Sequence, residues 1–283
     1  MRSFVPSYQM KTPRGLGEAL ELLASESGVW KAFAGGTDLM VLLEAGKLAH
    51  RNYLNLWNLK ELRGIEVTDD RISLGALTTY TEVQQHPVLR AEFPMLCQAA
   101  SETGGLAIQN RGTLGGNIVN ASPAADSPPA LLAYDAELEL ISTAGLRRVA
   151  YSSFHQGYKQ MDVQPAELLA RVHLSREKQK LIHYYRKVGT RKAQAISKVC
   201  FAAVARMDNE VIQEIRIALG SVAPIPLRCL KTEDALRGRR TDNISLGTSA
   251  LKREITPIDD IRSTKDYRLH VSLNLLEDFL ATL

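Results

Sequence analysis

A glycine-rich polar stretch at residues 111–130 has the residue types most suited to binding a ligand. Glycine tolerates positive φ and lets another group approach closely, so successive backbone N–H groups can converge on an anion such as a phosphate. The alternative is a tight turn between two core elements, because glycine clusters mostly mark turns. The stretch combines glycines with hydrogen-bonding side chains: Gly112, Thr113, Gly115, Gly116, Asn117, Asn120, Ser122 and Asp126.

A second glycine pair lies nearer the start of the chain. Residues 31–34 predict a short strand, Gly35, Gly36, Thr37 and Asp38 follow it, and residues 39–44 have the composition of a helix. Thr37 or Asp38 can cap that helix, and the free N–H groups of its first turn favour a bound anion. This order of elements predicts a phosphate site. A turn with an ordinary N-cap remains the alternative.

Several common types of site have no support in the sequence. No GxGxxG follows a strand, and GxxxxGK[ST], HExxH and GxSxG are absent. The six histidines are scattered, and Cys97, Cys200 and Cys229 lie far apart with no zinc or iron–sulfur spacing. The sequence therefore gives little support to a hydrolase or a metalloenzyme.

The composition is that of a globular protein. The chain has 283 residues, 45% hydrophobic and 23% charged, with a formal charge of +4 spread over the sequence. No basic stripe is interleaved with aromatic residues, so we expect no nucleic-acid partner. No signal segment or apolar run near 18 residues occurs, and the cysteines suit a reducing compartment. We therefore expect a cytoplasmic protein that has no membrane partner.

The hydrophobic pattern divides the chain into two domains. Leu16, Leu20 and Leu23 share one face of a predicted helix, and residues 64–67 and 71–75 predict a hairpin. The spacing of apolar residues changes near Gln164. From there, predicted strands at 167–172, 183–188, 199–205 and 211–220 precede a terminal helix at 266–283. We expect a first domain at 1–163, with subdomains at about 1–57 and 58–163, and a separate α+β domain at 164–283.

The two glycine segments lie in successive subregions, an arrangement that suits a diphosphate held between two subdomains. FAD is a common ligand of this kind, although composition alone does not name it. Residues 34–39 (AGGTDL) together with residues 113–127 (TLGGNIVNASPAADS) resemble the FAD-binding medium subunit of the molybdenum hydroxylases. This family includes xanthine dehydrogenase and aerobic carbon monoxide dehydrogenase. Residues 184–197 (YYRKVGTRKAQAIS) and 220–226 (GSVAPIP) resemble its C-terminal flavoprotein domain, so the resemblance covers nearly the whole chain.

The resemblance implies an α+β fold. Residues 1–163 would form a two-subdomain FAD-binding domain of the vanillyl-alcohol-oxidase type, and residues 164–283 a C-terminal α+β flavoprotein domain. The first segment would bind the pyrophosphate and the adenine half of FAD. The second segment would bind the other side of the pyrophosphate, and Asp126 would accept a hydrogen bond from a sugar or ribityl hydroxyl. Lys187 or Arg186 would approach the flavin, and Thr103 stands where some relatives carry an aromatic residue against it. The implied FAD-binding residues are Lys31, Ala32, Phe33, Ala34, Gly35, Gly36, Thr37, Asp38, Leu39, Thr103, Thr113, Gly115, Gly116, Asn117, Asp126 and Lys187.

The function implied by the resemblance is electron relay. Iron–sulfur and molybdopterin subunits would oxidise the substrate, and the FAD on this chain would pass the electrons to NAD or another acceptor. Two alternatives remain from the sequence. The chain could be a stand-alone FAD-dependent oxidoreductase acting on a small molecule, or a scaffold that kept the fold and lost the cofactor.

Overall fold

The first sheet is parallel and small. A computed structural model describes residues 7–191 and 194–283, so Lys192 and Ala193 of the C-terminal sequence motif lie outside the described residues. Parallel strands need crossover connections, and the first two helices supply them. Leu20 and Leu23 are buried and Leu16 packs beside them, as the predicted helical face requires. The strand order is β1-β3-β2, and the elements are β1 Gln9–Lys11, α1 Leu16–Ser25, β2 Lys31–Phe33, α2 Leu39–Glu44 and β3 Asn52–Asn55.

The second sheet is antiparallel, with its helices between the strands in sequence. Its order is β4-β5-β10-β6-β7, and one face packs on the helices through Ile72, Leu74, Leu138 and Leu140. Helix α4 (Pro87–Glu92) begins at a proline, which is suited to this first helical position because its missing N–H is not needed there. After a 3-10 turn at Lys60–Leu62, the elements are β4 Ile65–Val67, β5 Arg71–Gly75, α3 Tyr80–Gln85, α4 Pro87–Glu92, α5 Pro94–Glu102, α6 Leu106–Gln109, α7 Leu114–Val119, α8 Ser127–Ala133, β6 Glu137–Ser142, β7 Gly145–Ala150, α9 Tyr151–Phe154, β8 His155–Gly157, β9 Gln160–Met161 and β10 Leu168–Ser175.

Strand β10 corrects the expected domain boundary at Gln164. We expected the strand at 167–172 to open the C-terminal domain. Instead, β10 lies in the middle of the second sheet, with Val172 paired to Leu74 on one side and to Leu138 on the other. Alternation of apolar residues predicts a strand but not its neighbours, which is why the sequence assigned β10 to the wrong sheet. The chain leaves the second sheet only after Ser175.

The C-terminal region is an antiparallel sheet of order β11-β12-β13-β14, with the C-terminal helices on one side and helices of the preceding region on the other. Strand β12 is buried on both faces. Cys200, Ala202 and Val204 join the core that contains α8, whereas Phe201 and Ala203 join the core that contains α12. This two-sided burial explains the continuous apolar run in the sequence. The elements are β11 Ile182–Val188, β12 Val199–Asp208, β13 Val211–Gly220, β14 Leu227–Arg228, α10 Leu230–Leu236, α11 Ile244–Glu254 and α12 Lys265–Leu280.

The predicted α+β class is confirmed by these mixed elements. Within residues 7–191 and 194–283, no helix combines the length and the apolar character that crossing a membrane would require.

Candidate functional site: a two-segment cofactor cleft

The first glycine turn, residues 35–38, connects the edge strand β2 to α2. Gly36 has φ +77°, and a Cβ there would lie 2.5 Å from the Phe33 ring. A Cβ on Gly35 would lie 1.8 Å from the carbonyl oxygen of Arg111, so the first turn touches the second glycine segment directly. No acceptor in the described residues takes the backbone N–H groups of residues 35–39. The turn therefore presents a row of donors that have no partner in the described part of the chain.

The predicted helix cap is wrong. Asp38 occupies the N-cap position of α2, but its side chain makes no capping hydrogen bond. Its Oδ1 accepts instead from Asn120 Nδ2 at 3.1 Å. Asn120 Oδ1 accepts from Lys159 Nζ at 2.9 Å, and the same ammonium group donates to the Asn120 carbonyl. Burial lowers the pKa of Lys159, and the Asp38 carboxylate opposes that shift. These three side chains link the first turn to the end of α7 and to the β8–β9 hairpin.

The second glycine segment, residues 112–117, is largely helical and is not the tight turn that was the alternative to a ligand-binding stretch. Thr113 caps α7, its Oγ1 accepting from Gly116 N at 3.1 Å and its carbonyl from Asn117 N at 3.0 Å. The N–H groups of Leu114 and Gly115 donate to the carbonyls of Thr78 and Ala76, both at 2.9 Å. Of the N–H groups at residues 113–117, only that of Thr113 has no acceptor within the described chain.

Packing explains the glycine at 115. A Cβ there would lie 2.7 Å from both the Cβ and the carbonyl oxygen of Ala76, so any side chain would push α7 away from the residues that follow β5. Asn117 differs from its neighbours, because its buried Oδ1 has no hydrogen-bond partner among the described residues. Buried polar atoms are nearly always paired, so this amide oxygen is suited to a ligand donor.

Asp126, Thr103 and Lys187 come together beyond the second segment, although they are far apart in sequence. Lys187 Nζ donates to Asp126 Oδ2 at 2.7 Å and to the Glu102 carbonyl at 2.8 Å. Ser197 Oγ donates to Asp126 Oδ1 at 3.2 Å, and Thr103 Oγ1 lies 3.5 Å from Oδ2. Burial raises the pKa of Asp126, and the Lys187 ammonium opposes the shift.

Lys187 and Arg186 were alternatives in the sequence. They point away from each other along β11: the side chain of Lys187 is 5% exposed in the ion pair with Asp126, whereas Arg186 is exposed. Lys187 is therefore the one that reaches this cluster from the C-terminal sheet.

A cleft of about 1020 Å³ opens between the first turn, α2 and α6. This volume is at the upper end of the roughly 300–1,000 Å³ that is usual for small-molecule sites. Lys31 and Ala32 of β2, predicted to line the cofactor, are exposed along the sheet edge nearby. Residues of the first turn, α2 and α6 line the cleft, with two arginines that sequence reasoning did not select. The lining includes Gly35, Gly36, Thr37, Met40, Arg51, Ile108 and Arg111.

Asn120, Lys159 and Arg111 are the residues that the sequence predictions missed. Asn120 lies within the glycine-rich stretch, and its position one turn beyond Asn117 on α7 is the signal that could have identified it. Lys159 and Arg111 stand in no recognisable spacing, so only the folded chain reveals their neighbours. In the described part of the chain, no cluster of histidine, cysteine or carboxylate side chains could hold a metal ion.

Comparisons with known proteins agree with this architecture. Residues 6–176 match the family model described as the FAD binding domain in molybdopterin dehydrogenase, and residues 183–283 match the CO dehydrogenase flavoprotein C-terminal domain. The xanthine dehydrogenase FAD-binding subunit of Escherichia coli O157:H7 is 33% identical over 260 residues, which cover 90% of this chain and 89% of that protein.

Solved structures with the same fold include two oxidoreductases. One is the carbon monoxide dehydrogenase of Hydrogenophaga pseudoflava lacking the Mo-pyranopterin moiety of its molybdenum cofactor, with a TM-score of 0.92, 26% identity and coverage of 97% of this chain and 96% of that chain. The other is quinoline 2-oxidoreductase from Pseudomonas putida 86, with a TM-score of 0.90, 25% identity and coverage of 99% and 97%. The family inferred from the sequence motifs is confirmed. This chain belongs to the family of FAD-binding subunits of molybdopterin dehydrogenases, and FAD is its cofactor.

Proposed function

We propose that this chain is the electron-transfer subunit of a molybdopterin-dependent dehydrogenase. It would receive electrons from iron–sulfur clusters on a partner chain, in a complex with a molybdopterin subunit, and would pass them to NAD or another acceptor. The N–H groups of residues 35–39, which have no acceptor among the described residues and belong to the turn that borders the cleft, are the observation that carries the proposal. Related proteins are named as FAD-binding subunits, which supports a division of labour among chains.

The residues of the first turn, together with Asn117 and Asp126, fit FAD. The glycines at 35 and 36 leave no room for a Cβ where the chain turns, and the N–H groups beside them are suited to a pyrophosphate. Asn117 Oδ1 is suited to accept from a hydroxyl, and Asp126 keeps lone pairs beyond those used by Lys187 and Ser197. Bound FAD supplies the redox chemistry, since it can accept electrons from one partner and give them to another.

We assign different tasks to the chain's own groups. Residues 31–34 on the edge strand and Leu39 would contact the adenine half, and the first turn would hold the pyrophosphate. Thr113, Gly115, Gly116 and Asn117 would border the other side, mainly through the Asn117 amide, since most of their N–H groups are occupied. Thr103, Asp126 and Lys187 would orient the flavin end of FAD. Lys187 would hold the Asp126 carboxylate in its ion pair there.

A cytoplasmic location is part of the proposal. It is supported by the three cysteines, which are unpaired thiols in the structure, as expected in a reducing compartment.

The test is to express the full chain together with its neighbouring genes and alone. We expect FAD in the supernatant after denaturation, co-purification with an iron–sulfur chain and a molybdopterin chain, and substrate-dependent flavin bleaching only in the complex. Adding NAD, quinones or oxygen to the reduced complex then identifies the acceptor. Bleaching of the isolated chain by a small substrate would favour a stand-alone oxidoreductase, and a colourless chain that binds no FAD would favour a scaffold.

A further inference from the structure

Arg111 lies where the two glycine segments meet. Its carbonyl oxygen is the atom that excludes a side chain at Gly35, and the residue lines the cleft together with Gly35, Gly36 and Thr37. Arg111 therefore borders the same cleft as the first turn, whose N–H groups have no acceptor within the described residues. A cation next to such a row of donors is placed to meet an anion.

The ring of Trp57 supports this cation. The guanidinium carbon of Arg111 lies 3.8 Å from the centre of the indole ring. Stacking of this kind attracts the cation to the ring and restricts its rotamers, so less conformational freedom is lost when the guanidinium binds a ligand.

A second arginine on the same ring provides an internal contrast. Arg63 lies 4.4 Å from the ring centre and donates to the Trp57 carbonyl oxygen from Nε at 3.2 Å and from Nη2 at 2.6 Å. Arg111 forms no ion pair and donates no side-chain hydrogen bond to any described residue. Arg63 is thus bound to the protein, whereas Arg111 keeps all its donors for another group.

We propose that Arg111 binds the pyrophosphate of FAD, and that Trp57 is the residue that positions it. The inference rests on the proposed function, because it requires the cofactor to lie along the first glycine turn. A guanidinium group matches two phosphate oxygens at once, which neither backbone N–H groups nor a lysine can do with the same geometry. Arg111 would also supply the positive charge that the glycine turn itself lacks.

The experiment measures ligand affinity of the full chain prepared free of flavin. FAD, ADP and riboflavin are titrated against the unchanged protein and Arg111→Ala, because ADP has the diphosphate without the flavin and riboflavin has the flavin without phosphate. We expect Arg111→Ala to weaken FAD and ADP by about tenfold to a hundredfold, as for loss of a charged hydrogen bond, and to leave riboflavin unchanged.

Matched variants separate charge from folding. Arg63→Ala, which removes the other cation from the same ring, should change FAD affinity by less than about threefold, in the range of a surface charge. Arg111→Lys should fall between Arg111→Ala and the unchanged chain, and Trp57→Leu should weaken FAD and ADP less than Arg111→Ala does. Thermal unfolding of each flavin-free variant checks that the fold persists.

Two results would overturn the inference. In one, Arg111→Ala binds FAD and ADP as the unchanged chain does. In the other, it loses riboflavin to the same extent, which would mean that Arg111 acts on the flavin end or on the fold. If the unchanged chain itself binds no FAD, the proposed function fails as well, so the two failures are distinguishable.

Discussion

The two glycine segments have similar sequences but different surroundings. In the first turn, the N–H groups of residues 35–39 have no acceptor in the described chain. In the second segment, the N–H groups of residues 114–117 all have one, and Gly115 is pressed against Ala76. A glycine pair can thus serve ligand binding in one place and close packing in another. The neighbours decide which role applies, and variants at both places can test the difference.

The largest effect is expected beyond the second segment, where Asp126 meets the C-terminal sheet. Lys187→Met leaves the buried Asp126 carboxylate without its ion-pair partner. We expect a loss of about 3–5 kcal/mol in the free energy of unfolding, measured with urea. The double variant Lys187→Met/Asp126→Asn removes the uncompensated charge and should recover much of the loss. If the single variant unfolds like the unchanged chain, the ion pair does not stabilise the contact between Asp126 and the C-terminal sheet.

Gly115→Ala should reduce stability more than cofactor affinity. The new Cβ would contact Ala76 at 2.7 Å, so α7 must shift. We expect the flavin-free chain to lose about 1–3 kcal/mol in urea unfolding, the range for overpacking a core. Gly17→Ala is the control, since a Cβ there meets nothing within 4 Å. A variant with normal stability that releases FAD would reverse the roles that we assign to the two segments.

Gly35→Ala should reduce cofactor affinity more than it reduces stability. Its Cβ would meet the Arg111 carbonyl oxygen, which forces the first turn away from the second segment. Because this turn lies at the edge of the small parallel sheet, we expect FAD affinity to fall by about a hundredfold, or ~2.7 kcal/mol. Unfolding of the flavin-free chain should change by less than for Gly115→Ala. Flavin fluorescence and urea unfolding on the same preparation give the two numbers.

Thr113→Ala tests the N-cap of α7, in which Thr113 Oγ1 accepts from the Gly116 N–H. Losing the Thr113 Oγ1 acceptor should cost about 1 kcal/mol in unfolding free energy, the usual value for an N-cap. Thr113→Ser keeps the oxygen and should restore most of that stability. Equal stability of all three proteins would show that the cap contributes nothing.

Acid should slightly lower the stability of the fold around α7, the helix that contains most of the second segment. His155 Nε2 lies 3.0 Å from the Ile118 carbonyl oxygen of α7, and burial lowers the pKa of His155 below its usual 6.5. The unfolded chain therefore takes up the proton first, so this stability is present above about pH 6.5 and is lost as the pH falls towards the lower folded pKa. The melting temperature of His155→Gln should fall less between pH 7.5 and 5.5 than that of the unchanged chain. Identical pH profiles would contradict this assignment.

Local features of the fold could be predicted from the sequence, whereas the pairing of distant segments could not. The strand β2, the hairpin β4–β5 and the helix α12 follow from alternation and helical spacing, which are local properties. The position of β10 depends on partners that lie far away in the sequence, and spacing contains no information about them.

The candidate site shows the same limit. The glycine motifs identify both segments, but the acceptors that occupy the second one come from residues 76 and 78. Nothing in the sequence links Trp57 with Arg111, because their stacking is a contact between separate parts of the fold.

The burial of β12 on both faces has a consequence for how the chain can be divided. The two family matches end at residue 176 and begin at residue 183, yet Cys200 and Ala202 are part of the core that also contains Leu131 and Leu138. A cut between the matched regions would therefore split one core and expose apolar surface on both fragments. We expect the two pieces to aggregate when produced separately and to reassemble when produced together. The two regions that match separate family models would thus fold together as one unit.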